Sequence, residues 1–131
     1  MTSPRLPAAL LVGSVLMACG PRFSARDLPG TYVLNHRASA DTLLLNANGT
    51  YIHSFVSVQD QRAATESGTW AVDTASGPLR LTLTDFAVTS IPDSGRTLPR
   101  RGLWVLELDQ GWRGPLRLPV ESDIGLYFVK Q

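Results

Sequence analysis

One cysteine, two histidines and a formal charge of only +1 remove several functions from this 131-residue chain before any motif is sought. A single cysteine excludes an internal disulfide and a zinc site built from several thiolates. Twelve basic side chains against eleven acidic ones make no strongly basic surface, so no nucleic-acid partner is expected. An apolar fraction of 44% with near-balanced charge excludes a disordered chain. No apolar run reaches the roughly 20 residues of a membrane-spanning helix. Nucleophile elbows, Ser-x-x-Lys, His-Glu-x-x-His and phosphate-cradling glycine loops do not occur. Neither His36 nor His53 has Cys, Asp or Glu beside it at metal-ligand spacing. His53 lies between Tyr51 and Phe55 in an alternating run and reads as a hydrogen-bonded strand histidine. No catalytic residue, metal or cofactor is therefore expected. The length is that of one domain.

What is present begins with an address. Residues 1–5 are a short positive start, and residues 6–18 are almost wholly apolar, interrupted chiefly by Pro7 and Ser14. Too short to span a membrane, this run fits the apolar core of a secretory signal peptide. Leu16-Met17-Ala18-Cys19 then resembles the lipobox of bacterial lipoproteins. That resemblance implies cleavage before Cys19, a diacylglyceryl thioether on its sulfur and acylation of the new amine. Residues 1–18 would be the leader, and the mature protein would be held in the bacterial cell envelope through the lipid on Cys19. Each buried CH₂ is worth about 0.8 kcal/mol, so two or three acyl chains anchor firmly where one is marginal. Gly20 stands where aspartate marks inner-membrane retention in enterobacterial lipoproteins, which implies the outer membrane. Loss of Arg5 with the leader leaves the mature chain neutral. Residues 19–29 read as the acylated cysteine and a tether, with Pro21, Pro29, Arg22 and Arg26 and no apolar periodicity. Ten extended residues reach about 35 Å, which keeps the folded part near the lipid surface.

Residues 30–131 read as one all-β domain. The periodicity there is two, and no helical stripe interrupts it. Strands are expected over 31–35, 42–46, 50–58, 68–72, 79–86, 103–108, 112–118 and 126–130. Leu79, Leu81 and Leu83 alternate with Arg80, Thr82 and Thr84 in the clearest of them. Asn48-Gly49 suits a tight hairpin turn, Asp109-Gln110-Gly111 another, and Ala75-Ser76-Gly77-Pro78 a looser one. The longer connections are 59–67 and 90–101. Eight short hairpin-linked strands are best served by closing into a small antiparallel up-and-down barrel, which removes exposed edges. A two-sheet sandwich is the alternative. An eight-stranded barrel is just wide enough for its own side chains or for one small ligand.

Gly30-Thr31-Tyr32 resembles the Gly-x-Trp opening of lipocalins and related calycin barrels. Leu43-x-Leu45, Asn48-Gly49-Thr50-Tyr51 and Gly68-Thr69-Trp70 resemble the pattern of bacterial lipocalin-like lipoprotein domains. The resemblance implies a barrel in which a basic residue of the last strand packs over the first-strand aromatic ring. Lys130, in Tyr127-Phe128-Val129-Lys130, would do so over Tyr32.

The loop over 90–101 carries Arg96, Arg100 and Arg101 together with Pro92 and Pro99. These form a candidate ligand-binding rim able to grip a carboxylate, phosphate or sugar acid, although solubility and strand-edge protection are the default reading of a charged loop on any barrel. Two functions are carried forward. One is a membrane-anchored barrel binding a small apolar or amphiphilic ligand. The other is a non-enzymatic protein-interaction module of the envelope, an assembly factor or hydrolase inhibitor built on a solid barrel.

Overall fold

The computed structural model describes residues 23–35, 41–56, 61–75, 77–87 and 101–131. Among them are eight strands: β1 Gly30–Leu34, β2 Thr42–Leu45, β3 Thr50–Val56, β4 Ala63–Asp73, β5 Arg80–Ala87, β6 Arg101–Glu107, β7 Arg117–Glu121 and β8 Leu126–Lys130. The helical elements among these residues are two single 3₁₀ turns, Ala25–Asp27 and Ser122–Ile124. All strands belong to one antiparallel sheet in the order β6-β5-β4-β3-β2-β1-β8-β7. The first strand pairs on both sides, with β2 (Tyr32 opposite Leu43) and with β8 (Tyr32 opposite Lys130). The sheet thus curls into a nearly closed barrel, and the gap falls between β6 and β7, which touch without a ladder among the described residues. A single curled sheet, not a sandwich, is the outcome.

Alternation decides which side chains enter. Leu43 and Leu45 on β2, Tyr51 and His53 on β3, and Leu81 and Leu83 on β5 are all buried. On β5 strict alternation would next bring Asp85 inward. A one-residue bulge between Leu83 and Phe86, with Asp85 at φ 55°, instead leaves Asp85 exposed and buries Phe86. Tyr32, Leu43, Tyr51, Leu81, Leu83 and Leu118 have 0% of their surface exposed, so no water-sized space stands against them. Around these residues the barrel is filled by its own side chains.

Two glycines are dictated by geometry. Gly49, at φ +86°, closes the β2–β3 hairpin, where the Asn48 side-chain oxygen accepts hydrogen bonds from the Thr50 amide (3.1 Å) and hydroxyl (2.7 Å). Gly68 sits opposite Tyr51, and a Cβ there would lie 2.6 Å from the Thr84 carbonyl oxygen and 2.7 Å from the Tyr51 ring. The missing side chain lets Tyr51 cross β4 and donate its phenolic hydrogen bond to Thr84 O at 2.6 Å.

One end of the barrel is closed by the segment before β1. Leu28 is fully buried, Phe23 packs against the core, and the Tyr32 hydroxyl donates to the Leu28 carbonyl at 2.6 Å. Ser24 caps the first 3₁₀ turn by donating its amide (2.7 Å) and hydroxyl (3.1 Å) to Asp27, whose carboxyl is held below the usual range by those bonds. The segment expected as a tether therefore contributes to the fold from Phe23 onward. Lys130 corrects the sequence expectation: its ammonium donates to the Asp27 carbonyl, tying the last strand to this cap. The cation–ring contacts among the described residues are those of Arg117, not Lys130.

Two strand positions also differ from the pattern. β4 begins at Ala63, five residues before the expected start, and β7 runs Arg117–Glu121, not 112–118. In the first case an inward charge, Glu66, hides the alternation. In the second, Gly114-Pro115 breaks the strand and leaves Trp112 in the connection.

Candidate functional site

Two features of the barrel carry chemistry, one sealed inside it and one open to solvent. The first follows from register. His53 faces inward on β3 and stands opposite Leu43 on β2 and Glu66 on β4. Asp41 precedes β2 two residues before Leu43, on the same side of the sheet. The exposures of His53, Glu66 and Asp41 are 0%, 6% and 3%.

Their geometry is specific. His53 Nδ1 lies 2.9 Å from Glu66 Oε1, which also accepts the Ala87 amide at 2.8 Å. A carboxylate acceptor assigns the proton to Nδ1. His53 Nε2 has no hydrogen-bond partner, and Asp41 Oδ2 lies 3.8 Å from it. The imidazole is stacked between Phe55 (4.8 Å between centroids, 27°) and Phe86 (4.6 Å, 19°), with Phe128 edge-on at 5.8 Å. An apolar slot thus fixes the ring plane, and two carboxylates face its nitrogens. Such an arrangement holds a charge-assisted network in a low-dielectric interior, where each member depends on the others. Full burial leaves the imidazole no face for a substrate. Among the described residues, no three His, Cys, Asp or Glu side chains are grouped so as to hold a metal ion.

Of the residues expected to form a rim, Arg101 opens β6, exposed, with Nη2 3.4 Å from Glu66 Oε2. Its partner is the buried cluster. Arg96, Arg100 and the lipidation residue Cys19 lie outside the described residues, as does His36. Sequence reading missed Asp41 and Glu66. The signal available was the polar stretch before Gly68, which becomes informative only once Glu66 is registered opposite His53.

The open feature is the seam. A groove of about 550 Å³ lies between the unpaired edges of β6 and β7. Its apolar lining comes from Trp104, Val105, Leu106, Pro119, Val120 and Tyr127, and its polar lining from Glu107, Asp109, Arg117 and Ser122. Arg117 dominates it. The guanidinium carbon lies 3.6 Å from the Trp112 ring centroid and 4.1 Å from that of Tyr127, so aromatic faces flank it twice. Trp112 is itself fixed by its indole N–H, which donates to the Pro115 carbonyl at 2.9 Å. Arg117 Nε is buried without a hydrogen-bond partner. Nothing in the alternation pattern pointed to this cation, because its clamp is assembled from the β6–β7 connection, β7 and β8.

Compared with known protein families, curated proteins and solved structures, the chain matches none.

Proposed function

We propose that this chain is a lipid-anchored protein of the bacterial cell envelope whose lipocalin-like barrel binds a small amphiphilic molecule, and that the molecule sits in the seam between β6 and β7. The observation carrying this reading is the groove itself. Its volume of about 550 Å³ falls within the roughly 300–1,000 Å³ of small-molecule sites, and its wall joins apolar surface to a few fixed polar groups. The interior around Tyr32, Tyr51 and Leu118 is filled, which directs the ligand to the wall of the barrel. Attachment through Cys19 places the protein beside a reservoir of amphiphiles, on the outer membrane if Gly20 sorts as it does in enterobacterial lipoproteins.

A protein-interaction module is the second reading. Leu103 and Val105 favour it, standing 65% and 55% exposed on an edge strand able to accept another chain.

Native mass spectrometry of the mature chain from Gly20, incubated with envelope extract, separates the two. That form contains every described element of the barrel. A stoichiometric small molecule is expected; an apo mass that persists in excess extract overturns ligand binding and turns the search to protein partners. The anchor has its own test. Cys19→Ala in the full chain is expected to block lipidation and processing, and a variant still processed and held at the membrane through lipid refutes it.

A further inference from the structure

We propose that the seam groove is selective for amphiphiles with an anionic head, a carboxylate or a phosphate, and that Arg117 is the residue that recognises it. This rests on the seam being a ligand site and adds the chemical class of the ligand. Among the described residues Arg117 lacks an anionic partner within ion-pair distance, while Trp112 and Tyr127 contact its guanidinium. Ring contacts of that kind satisfy the faces of a guanidinium and leave its N–H donors, which lie in the plane, for another group. Nε is such a donor, buried and unpaired. A buried donor without an acceptor is unfavourable until something supplies one. Planar, charged and held by stacking, this fork suits a carboxylate or phosphate taken edge-on.

The groove's acidic side chains have other partners. Glu107 pairs with Arg80 at 3.8 Å, and Asp109 accepts the Gly111 amide at 3.0 Å within its own turn. Their charges disfavour an anion beside them and so confine the head to the Arg117 side. The ligand's apolar part then lies against Trp104 and Val120.

The test uses the mature chain from Gly20 and four probes sharing one dodecyl chain: dodecanoate, dodecyl phosphate, dodecyl maltoside and dodecyltrimethylammonium. Titrations followed by tryptophan fluorescence, below micelle-forming concentrations, are expected to give the two anions at least about tenfold tighter binding than the neutral and cationic probes, the order of one charge-assisted hydrogen bond. Comparing dodecanoate with dodecyl phosphate tells a fatty-acid-type source from a phospholipid-type one. Arg117→Gln is expected to remove the anion preference and leave dodecyl maltoside binding unchanged, and Arg117→Lys to restore part of it. Equal affinities for all four heads in the unaltered protein overturn the inference even if the Gln variant fails to fold, and leave the amphiphile reading standing. Absence of binding by every probe overturns both.

Discussion

Replacing Glu66 with leucine removes the acceptor that two buried donors share. Glu66 Oε1 takes the His53 ring N–H at 2.9 Å and the Ala87 amide at 2.8 Å, and the carboxylate is almost completely covered. Each buried donor left without a partner is worth about 1–3 kcal/mol. Breaking a buried charged set by removing one member costs about 3–5 kcal/mol. The two routes agree near a loss of about 4 kcal/mol, much of the roughly 5–15 kcal/mol that holds an ordinary domain together. For a barrel of this size that lowers Tm by about 15–25 °C. Arg101 supplies the contrast. Its side chain is 63% exposed at 3.4 Å from Glu66 Oε2, so Arg101→Gln should change stability by at most about 1 kcal/mol. The partner variant is His53→Phe, which keeps a ring between Phe55 and Phe86 but deletes the donor. Combining it with Glu66→Leu should recover about 1–3 kcal/mol relative to the sum of the single losses. Urea unfolding with constant slope is the assay, since a shift in midpoint alone then reports stability. A Glu66→Leu loss below about 1 kcal/mol, or strict additivity in the double variant, would refute the idea that the cluster works as one unit.

Two further expectations rest on the same barrel. Gly68→Ala places a methyl group against the Thr84 carbonyl and the Tyr51 ring, so a loss of about 1–3 kcal/mol is expected from overpacking alone. A loss below about 0.5 kcal/mol in urea unfolding would mean that β4 and β5 yield easily at that crossing. The second is a pH dependence. Burial, and after it the Glu66 and Asp85 carboxylates, push the Tyr51 phenol up to about 12, against an opposing pull from Arg101. Burial and then Asp27 push Tyr32 up as well. An unfolded tyrosine titrates near 10, so the unfolded chain releases protons first and stability falls as pH rises from about 10 to 12. Below that window both states hold their protons and the full contribution remains. Tyr51→Phe should flatten part of the fall, and phenolate absorbance should rise together with loss of structure. Ionisation of every tyrosine near pH 10 in a still-folded barrel would show that the buried phenols are not protected.

What the sequence discloses and what it hides separate along a physical line. Local chemistry was legible: Leu81 and Leu83 alternate on β5, Asn48-Gly49 makes its turn, and all eight strands were anticipated as a closing meander. Contacts set by register were not. Alternation puts His53 on one face with Tyr51 and Phe55, but Asp41 and Glu66 reach it only through strand pairing that a linear pattern does not contain. The same charge that makes the cluster also concealed the first half of β4, because a strand is recognised by its apolar face and Glu66 occupies that face. In the sequence Arg101 reads only as a loop charge, and the structure turns that charge toward a buried partner.

Why the barrel stays open at β6 and β7 can be argued from single residues as well. A proline has no amide hydrogen to give a neighbouring strand, so sheets tolerate it chiefly at edges. Pro119 lies in the middle of β7, and the β7–β8 register shifts between Pro119 and Glu121, which twists that strand away from regular pairing. Across the gap β6 carries Leu103 outward, while Trp104, Val105 and Leu106 line the groove. A ladder between the two strands would bring them to roughly 4.8 Å and abolish a groove of about 550 Å³. The opening is therefore a property of β7's own composition. Within it stands Arg117, held by two aromatic rings with no carboxylate in ion-pair distance among the described residues, so the irregular strand that leaves the barrel unclosed also carries the group proposed to recognise the ligand.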